Sequence, residues 1–317
     1  MNIGIDIMGG DYAPIEAMKG VAQYLQSGNP SVHLTLIGDE QKIKPFLEEF
    51  QIPSERVSIV HAPDVIAMEE HPTRAFREKT GSSIVIGYHL LASGKTDAFI
   101  SAGNTGAMLI GAVYAVKAIE GVIRPTIPTL IPKENNAMSL LLDVGMNADC
   151  KAEHLNQFAE LGALYAEHIL GIERPRVGLV NIGEEKEKGN LLAKASYPVL
   201  ETNPNLNFVG NIEGRDIFKD KADVMVCDGF TGNIILKMAE SFYEVTQKKG
   251  ISHPYLDLFN FEDYGGTPVL GVSKPIIIGH GISHAKAFVN MIKLAEQIYS
   301  SNLLHIVASK FSGKNQG

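Results

Sequence analysis

The stretch TDAFISAGNTGAMLIGAVYAV, residues 96–116, holds the strand, loop and helix that decide the fold. Its beginning, Thr96–Ser101, is short and apolar, which is typical of a strand buried on both faces of a sheet. Its end belongs to Asn104–Ile119, whose length and spacing predict a helix. The loop between them contains glycines and side chains that favour helix N-termini. One strand therefore leads into one helix through a polar turn.

The same order of strand, polar loop and helix repeats along the whole chain. The predicted strands are Asn2–Ile7, Val32–Ile37, Val57–Val60, Thr96–Ser101, Ser139–Val144, Arg176–Ile182, Asp223–Cys227 and Pro275–Gly279. The predicted helices are Ile15–Gln26, Ser83–Ala92, Asn104–Ile119, His154–Leu170, Leu191–Glu201, Gly232–Gln247 and His284–Ala308. This alternation predicts an α/β fold, a doubly wound and mostly parallel sheet with helices on both faces.

No linker or repeat marks a domain boundary. We interpret residues 1–317 as a single α/β unit, with two lobes that share one sheet as the other option. Three prolines within Ile123–Pro132 predict an irregular or edge strand, because proline cannot donate to a central ladder.

Charge and cysteine content exclude several classes of function. The net charge of −8 argues against general binding of nucleic acid, which needs clustered basic residues. Two distant cysteines, Cys150 and Cys227, suit neither a disulfide framework nor a zinc ribbon. No dinucleotide fingerprint opens a helix, so no cofactor is predicted. The amino terminus lacks a signal-peptide pattern, and the longest apolar stretch, Gly106–Val116, is shorter than the ~20 residues that span a bilayer; a cytoplasmic protein is predicted.

Six predicted strands end in a loop that contains glycine and polar side chains. These loops are Asp6–Asp11, Ser101–Gly106, Asp143–Asn147, Asn181–Glu185, Asp228–Asn233 and Gly279–Gly281. Because parallel strands end at the same edge, where α/β proteins bind ligands, the sequence predicts one shared pocket. Residues expected around it include Asp6, Gly9, Gly10, Asp11, Asp143, Asp228 and Thr231. The alternative is that the glycines only turn strands into helices.

The loop after Thr96–Ser101 is the predicted anion site. Its candidate ligands are Ser101, Gly103, Asn104, Thr105 and Gly106. Free N–H groups and the dipole at a helix start favour an anion, and glycine lets the backbone approach it. The alternative for Asn104 and Thr105 is a plain N-cap role.

Three further side chains are candidates for contacts with an anion or an oxyanion. Arg74 and Lys188 carry positive charge, and their alternative is an exposed, solvated position. His280 lies between two glycines after a predicted strand and could bind an oxyanion or protonate a leaving group, with a structural histidine as the alternative. No third ligand lies near His280 and His284 in the sequence, so no metal site is predicted.

Read in order, these loops resemble the phosphate acyltransferase family of phospholipid synthesis, PlsX. The segments that carry the resemblance are Met8–Asp11, Ser101–Ala107, Leu142–Gly145, Asn181–Gly183, Lys188–Asn190, Gly210–Asn211, Asp228–Asn233 and Tyr264–Gly266. The resemblance implies a homodimer with a fold similar to isocitrate and isopropylmalate dehydrogenases and phosphotransacetylases. It also implies that acyl-[acyl carrier protein] and inorganic phosphate react to give acyl phosphate, which would supply a membrane glycerol-3-phosphate acyltransferase.

The implied reaction needs positioning more than proton transfer, because phosphate is already anionic at neutral pH. We expect phosphate at the Ser101–Gly106 loop, with help from Lys188 or Arg74. We expect His280, Asn147 or Asn233 to contact the oxyanion or the leaving thiol.

Three alternatives remain open from the sequence. They are a short-chain phosphotransacetylase acting on acyl-coenzyme A, a decarboxylating dehydrogenase of similar fold, and a non-catalytic anion-binding partner of a membrane acyltransferase. Peripheral membrane association is a further expectation, although the segment between Lys237 and Tyr264 is shorter than in many family members, where it is implicated in membrane docking.

Overall fold

The computed structural model describes residues 1–312, and residues 313–317 lie outside the described part of the chain. Its strands are β1 Asn2–Asp6, β2 His33–Gly38, β3 Val57–His61, β4 Ala98–Ser101, β5 Pro128–Pro132, β6 Met138–Leu142, β7 Arg176–Asn181, β8 Asn207–Glu213, β9 Val224–Val226, β10 Thr267–Pro268 and β11 Ile276–Ile278. Its α-helices are α1 Ile15–Ser27, α2 Glu40–Glu49, α3 Pro72–Glu78, α4 Ser83–Ala92, α5 Thr105–Gly111, α6 Ala152–His168, α7 Leu191–Glu201, α8 Gly229–Lys248, α9 Pro254–Asp257, α10 Ala285–Ser300 and α11 Leu303–Ser312.

The chain divides into two compact units, and each has its own sheet. The first unit is Met1–Ile119 with Phe261–Leu304, and the second is Glu120–Asn260 with residues 305–312. The first sheet has the order β10-β11-β4-β1-β2-β3, with all neighbours parallel except β10 and β11. The second has the order β5-β6-β9-β7-β8, with only β5 antiparallel to its neighbour.

The predicted fold class is confirmed, since both sheets are mostly parallel and alternate with helices along the chain. The expected edge strand is also confirmed, because β5 lies at the edge of the second sheet and contains Pro128 and Pro132. The option of two lobes sharing one sheet differs from the described strands, which form two separate sheets.

Helices α2, α3 and α9 and strand β10 are missing from the sequence prediction, and three further elements differ from it for local reasons. Strand β8 was not predicted, because Gly210 interrupts its pattern; there the backbone has φ +94° and the register against β7 shifts. The predicted helix His284–Ala308 is two helices, separated near Asn302, whose φ is +59°. Helix α5 is followed by a π-helical turn, Ala112–Val116, and the helical path ends at Lys117, whose φ is +70°.

Aromatic packing fixes the helices around β4. Tyr88 on α4 and Phe99 on β4 are fully buried, with ring centroids 5.2 Å apart in an edge-to-face arrangement. The Tyr88 hydroxyl donates a hydrogen bond to the carbonyl of Met108 on α5. One side chain therefore ties α4, α5 and β4 together. Within residues 1–312, no helix is both long enough and apolar enough to cross a membrane.

A buried ion-pair network braces the amino ends of β7 and β9. The Lys133 ammonium lies 2.7 Å from Asp223 and 2.9 Å from Asp220. Arg176 donates to both carboxyl oxygens of Asp223 at 2.9 Å and also pairs with Asp220. Burial alone would raise the pKa of Asp223, but the hydrogen bonds from Arg176 and Lys133 outweigh it and hold that pKa well below its ordinary value.

Replacing Asp223 should destabilise the protein more at neutral pH than in acid. We expect Asp223→Ala to lower the free energy of unfolding by about 3–5 kcal/mol at pH 7, because it leaves a buried lysine underpaired. The native carboxylate stabilises above the ordinary Asp pKa of about 3.9, so the difference between wild type and variant should shrink as the pH falls below that value. Urea unfolding followed by circular dichroism at pH 7 and at lower pH measures both effects.

The matched control for this prediction is Lys44→Ala, which removes an exposed ion pair with Glu40. It should change the free energy of unfolding by at most about 1 kcal/mol. An Asp223→Ala variant as stable as that control would contradict the bracing role.

Candidate active site

In the first unit, the loops after β1, β4 and β11 meet at the carboxyl edge of the sheet through their glycines. A Cβ atom on Gly9 would lie 2.6 Å from the Gly103 nitrogen and 2.5 Å from the Asp6 carboxylate. Gly10, with φ +99°, would bring a Cβ within 3.0 Å of the Gly281 carbonyl oxygen. Only residues without side chains fit here, so the glycines allow three loops to pack backbone against backbone.

Asp6 fixes the positions of the β1 and β4 loops through hydrogen bonds. Its carboxylate is fully buried and accepts hydrogen bonds from the Ser101 hydroxyl at 2.7 Å and from the Met8 N–H at 3.0 Å. The N–H of Gly103 donates to the Ser101 oxygen at 2.9 Å. Burial raises the pKa of Asp6, and these hydrogen bonds, with one from Ser83, oppose the rise. The Ser101 hydroxyl thus already donates to Asp6 on the neighbouring strand, and direct contact with phosphate would require it to exchange that partner.

Asn104 is the N-cap of α5, which is the alternative role that the sequence analysis left open. Its side-chain oxygen accepts the N–H of Ala107 at 2.9 Å, which caps α5. Its amide nitrogen donates to the carbonyls of Ala67 at 2.9 Å, Met68 at 3.3 Å and Glu70 at 3.2 Å. The side chain therefore joins the start of α5 to the 67–70 loop.

The rest of the predicted anion loop remains available. Thr105 is exposed and begins α5, and Gly106 follows it. The first N–H groups of a helix have no intrahelical acceptor, so these two can point to a ligand. The candidate contacts in this loop are therefore the backbone of Thr105 and Gly106 and the Thr105 hydroxyl.

Two basic side chains near α3, Arg74 and Lys79, form local ion pairs. Arg74 is exposed and lies 3.0 Å from Glu78 on the same helix. Lys79 pairs with Glu70 at 2.6 Å and donates to the Val65 carbonyl at 2.8 Å. Arg74 would have to leave Glu78 to reach an anion. Its exposed position fits the alternative interpretation from the sequence, a solvated side chain.

His280 lies on the third of the meeting loops. Its ring packs against Phe261 with centroids 4.9 Å apart. The neighbouring Gly281 carbonyl accepts the Asp11 N–H at 2.8 Å, which links the β11 loop to the β1 loop. The structure thus brings His280, Asp11, Gly9 and Gly103 to one edge, as the strand order requires.

In the second unit, a buried carboxylate organises the loop after β6 in a similar way. Asp143 is fully buried and accepts the N–H of Met146 at 3.2 Å and the N–H of Asn147 at 2.6 Å. The Asn147 amide donates to Asp143 at 2.8 Å and to the Pro125 carbonyl at 2.8 Å. Burial raises the pKa of Asp143, and the Asn147 hydrogen bond opposes the rise. The predicted oxyanion donor Asn147 therefore already donates to protein groups.

The loop after β9 packs against the loop after β6. Asp228 caps α8 by accepting the Thr231 N–H at 2.8 Å and the Thr231 hydroxyl at 3.0 Å. The Gly229 N–H donates to the Asn147 carbonyl at 2.7 Å. Asn233 is exposed, and its side-chain oxygen would lie 3.3 Å from a Cβ on Gly145. The turns that hold Asp143, Asp228 and Asn233 therefore adjoin one another.

A third turn in the second unit presents Lys188. The Asn181 amide donates to the Lys188 carbonyl at 3.1 Å and to Asn211 at 3.1 Å, and Asn211 in turn donates to the Glu185 carbonyl at 2.9 Å. Lys188 is exposed, and no carboxylate in residues 1–312 lies within ion-pairing distance of it. By contrast, Lys186 pairs with Glu201 and lies 5.6 Å from the Tyr197 ring centroid.

The sequence reasoning assigned no role to Asn211, which is buried and supports this turn. The only signal in the sequence was that Asn211 follows Gly210, because the pair Gly210–Asn211 is one of the segments that resemble the phosphate acyltransferase family. Its function is visible only because β8 pairs with β7.

Neither cysteine is poised as a nucleophile. Burial, then the nearby carboxylates of Asp143 and Asp228, raise the pKa of Cys150 to about 11. Burial also raises the pKa of Cys227 well above its ordinary value. Since the thiolate is the reactive form, both thiols are disfavoured as attacking groups.

One acidic cluster, Glu184, Glu213 and Asp216, has oxygens close enough for a cation. Each of these carboxylates already pairs with a basic side chain: Glu184 and Asp216 with Lys221, and Glu213 with Arg215. Lysine and arginine therefore supply the positive charge at this cluster.

Comparisons with known proteins identify the family to which the chain belongs. Residues 1–248 match the family described as "Fatty acid synthesis protein". A phosphate acyltransferase of Dictyoglomus turgidum is 43% identical over 317 residues, covering 94% of each chain, and one of Desulforamulus reducens is 42% identical, covering 96% of this chain and 95% of the relative.

Solved structures show the same fold at low identity. A phosphotransacetylase of Streptococcus pyogenes has a TM-score of 0.62 at 16% identity and covers 94% of each chain. A branched-chain phosphotransacylase of Enterococcus faecalis has a TM-score of 0.62 at 14% identity, covering 94% of this chain and 98% of the other. The expected likeness to the phosphotransacetylase fold is confirmed.

The contact between Gly9 and Gly103 should tolerate no side chain. We expect Gly9→Ala to destabilise the protein by about 1–3 kcal/mol, because the added methyl would overlap the Asp6 carboxylate and the Gly103 backbone. Gly214→Ala is the control, since a Cβ there meets nothing within 4 Å and should leave stability nearly unchanged. Thermal unfolding of both variants measures the difference, and equal melting temperatures would refute the close packing.

Proposed function

The chain belongs to the fatty acid synthesis protein family, and on that premise we propose how its loops transfer an acyl group to phosphate. The protein is a phosphate acyltransferase, and the family supports acyl-[acyl carrier protein] and inorganic phosphate as its substrates. The likeness to phosphotransacetylases concerns the fold alone at 14–16% identity, whereas relatives above 40% identity over nearly the whole chain are named phosphate acyltransferases.

The reaction is a direct displacement on the thioester. An oxygen of hydrogen phosphate attacks the carbonyl carbon, a C–O bond forms, and the C–S bond breaks. The sulfur leaves as thiolate and takes the proton that hydrogen phosphate brought, so the products are acyl phosphate and free thiol. The raised pKa values of both cysteines support attack by phosphate itself and not by a protein thiol.

We assign phosphate to the loop after β4 in the first unit. The observation that carries this assignment is the glycine contact between Gly9 and Gly103, which leaves a backbone-lined edge beside the start of α5. The N–H groups of Thr105 and Gly106 and the exposed Thr105 hydroxyl are the donors available there. Asp6, Ser101 and Asn104 act as positioning residues, because their polar atoms already hold the loop.

The second unit, taken by itself, holds three of the predicted contacts, Lys188, Asn147 and Asn233. Lys188 is the strongest candidate because it is exposed and without an ion-pair partner within residues 1–312, on a turn fixed by Asn181. Asn233 is exposed, whereas Asn147 and Asp143 hold their own loop. Within the second unit, we therefore propose that Lys188 and Asn233 are the side chains available to a ligand and that Asn147 positions its own loop.

The reaction itself is tested by incubating the purified protein with long-chain acyl-[acyl carrier protein] and labelled phosphate. Acyl phosphate should form with this substrate. Formation only from short-chain acyl-coenzyme A would favour the phosphotransacetylase alternative, and absence of product from any thioester would favour a non-catalytic anion-binding protein.

Lys188→Ala should reduce acyl phosphate formation by about 10²-fold, the usual effect of losing one group that stabilises developing negative charge. Lys186→Ala is the matched control, because Lys186 is only two residues away but is paired with Glu201. It should keep activity within about twofold of wild type, since exposed ion pairs contribute little. Initial rates with labelled phosphate give the comparison, and equal rates for both variants would exclude Lys188.

We further propose that α8 forms the contact between two copies of the chain. Only Gly229, Gly232, Ala239 and Thr246 of its 20 residues are buried. Its exposed apolar side chains, Phe230, Ile234, Met238, Phe242 and Val245, recur every three or four residues. They form one stripe about 23 Å long, which is typical of a helix that packs against another helix.

Charged residues placed in this stripe should separate the two copies of the dimer. We expect Met238→Glu with Phe242→Lys to change the mass measured by light scattering from dimer to monomer, while Tyr299→Glu, an exposed site on α10, leaves it unchanged. A monomeric wild type would contradict the dimer. If such a monomer sedimented with phospholipid vesicles and the double variant did not, the stripe would be a membrane contact instead.

The product also suggests where the protein acts. Acyl phosphate is a reactive mixed anhydride, so an acyltransferase that uses it must follow directly. We propose a membrane glycerol-3-phosphate acyltransferase in that role, with this protein working in the cytoplasm and meeting the membrane at its surface.

A further inference from the structure

Half-exposed apolar side chains lie next to one backbone contact at the carboxyl edge of the first unit, in space or along the chain. The Asp11 N–H donates to the Gly281 carbonyl at 2.8 Å. Tyr12 and Ile282, 45% and 41% exposed, are the next residues along the chain from that contact. Met68 is 46% exposed, and its methyl carbon would lie 3.0 Å from a Cβ on Gly281. Three apolar side chains from three segments therefore belong to, or directly follow, the residues around Gly281.

This patch is fixed relative to the loop proposed for phosphate. The Asn104 amide, at the start of α5, donates to the Met68 carbonyl and to its neighbours in the 67–70 loop. Tyr12 stacks on the His284 ring with centroids 4.6 Å apart and an interplanar angle of 26°. The patch and the anion loop are thus parts of one connected set of contacts.

A carboxylate lies within the patch. Asp11 is exposed, and its side-chain oxygens would lie 3.8 and 3.9 Å from a Cβ on Gly281. No N–H or O–H group of residues 1–312 donates a hydrogen bond to this carboxylate. A phosphate would be repelled by it, and a pure hydrocarbon would desolvate it without compensation. A ligand that combines aliphatic carbon with N–H donors suits both parts of the surface.

We propose that Asp11, Tyr12, Met68 and Ile282 form a subsite for the amide-bearing pantetheine arm that carries the acyl thioester. Asp11 accepts an amide N–H of the arm, and the three apolar side chains contact its methylene and methyl groups. The subsite rests on the proposed acyl transfer and extends it to the part of the substrate beyond the reacting atoms. Carrier protein and coenzyme A both present this arm, so the shared chemistry is the arm itself.

The test compares two thioesters of the same fatty acid, one of pantetheine and one of butanethiol, which has no amide. Asp11→Leu should lower kcat/KM for the pantetheine thioester by roughly tenfold or more, the effect of one hydrogen bond to a charged acceptor. It should leave the butanethiol thioester within about twofold, since that substrate makes no such bond. Glu49→Leu, a carboxylate change on the exposed face of α2, should alter neither value.

Equal losses on both thioesters, or no loss on either, would overturn the subsite. Acyl-[acyl carrier protein] and acyl-coenzyme A, assayed in parallel, should show the same loss as the pantetheine thioester if the arm alone is recognised. A loss confined to the carrier protein would point to a contact with the carrier's surface and also overturn the proposal.

Binding of free pantetheine, measured by calorimetry, tests the subsite without turnover. Asp11→Leu should bind it roughly tenfold more weakly than wild type, and equal binding would overturn the subsite even in an active enzyme. Clear pantetheine binding in a wild type that makes no acyl phosphate would instead keep the subsite and reject the proposed reaction. Circular dichroism of Asp11→Leu confirms that the exposed substitution leaves the fold intact.

Discussion

The hydrogen bond from Ser101 to the buried Asp6 carboxylate is the interaction on which the first unit's site depends. A carboxylate without solvent exposure is costly unless several donors reach it, and here Ser101 and the backbone of the β1 loop do so. These bonds tie the end of β1 to the end of β4, two strands that are neighbours in the sheet. Because the donors come from the loops, satisfying the charge also sets the loop conformation.

The second unit also has a buried carboxylate that holds the loop after a strand, formed by different residues. Asp143, at the end of β6, is buried and gathers N–H groups from its own loop and the amide of Asn147. The loop after β9 packs on it through the Gly229 N–H. In both units, therefore, a buried acid fixes the turn that follows a strand. Polar residues at these strand ends hold the loops in place. The groups that we propose for contact with substrate are backbone N–H groups and exposed side chains such as Thr105 and Lys188.

This division explains the kind of catalysis that the protein can perform. Neither thiol is available as thiolate, and phosphate needs little activation at neutral pH. In the mechanism that we propose, rate enhancement then comes from holding phosphate and thioester in a reactive geometry and from stabilising the oxyanion. Rigid loops built around buried carboxylates suit that task, because the donors do not need to reorganise during the reaction.

The sequence by itself determined the α/β class, the position of the polar loops after the strands and the edge strand around Pro128. These follow from local periodicity and from the backbone limits of proline and glycine, which do not depend on distant residues. Only the tertiary structure decided that the loops belong to two sheets and that Ser101, Asn104 and Asn147 hold loops. It also decided that Lys188 has no ion-pair partner among residues 1–312 and that Asn211 supports the Lys188 turn. A side chain's partners depend on which strands become neighbours, and strand order arises from long-range pairing that no short stretch of sequence encodes.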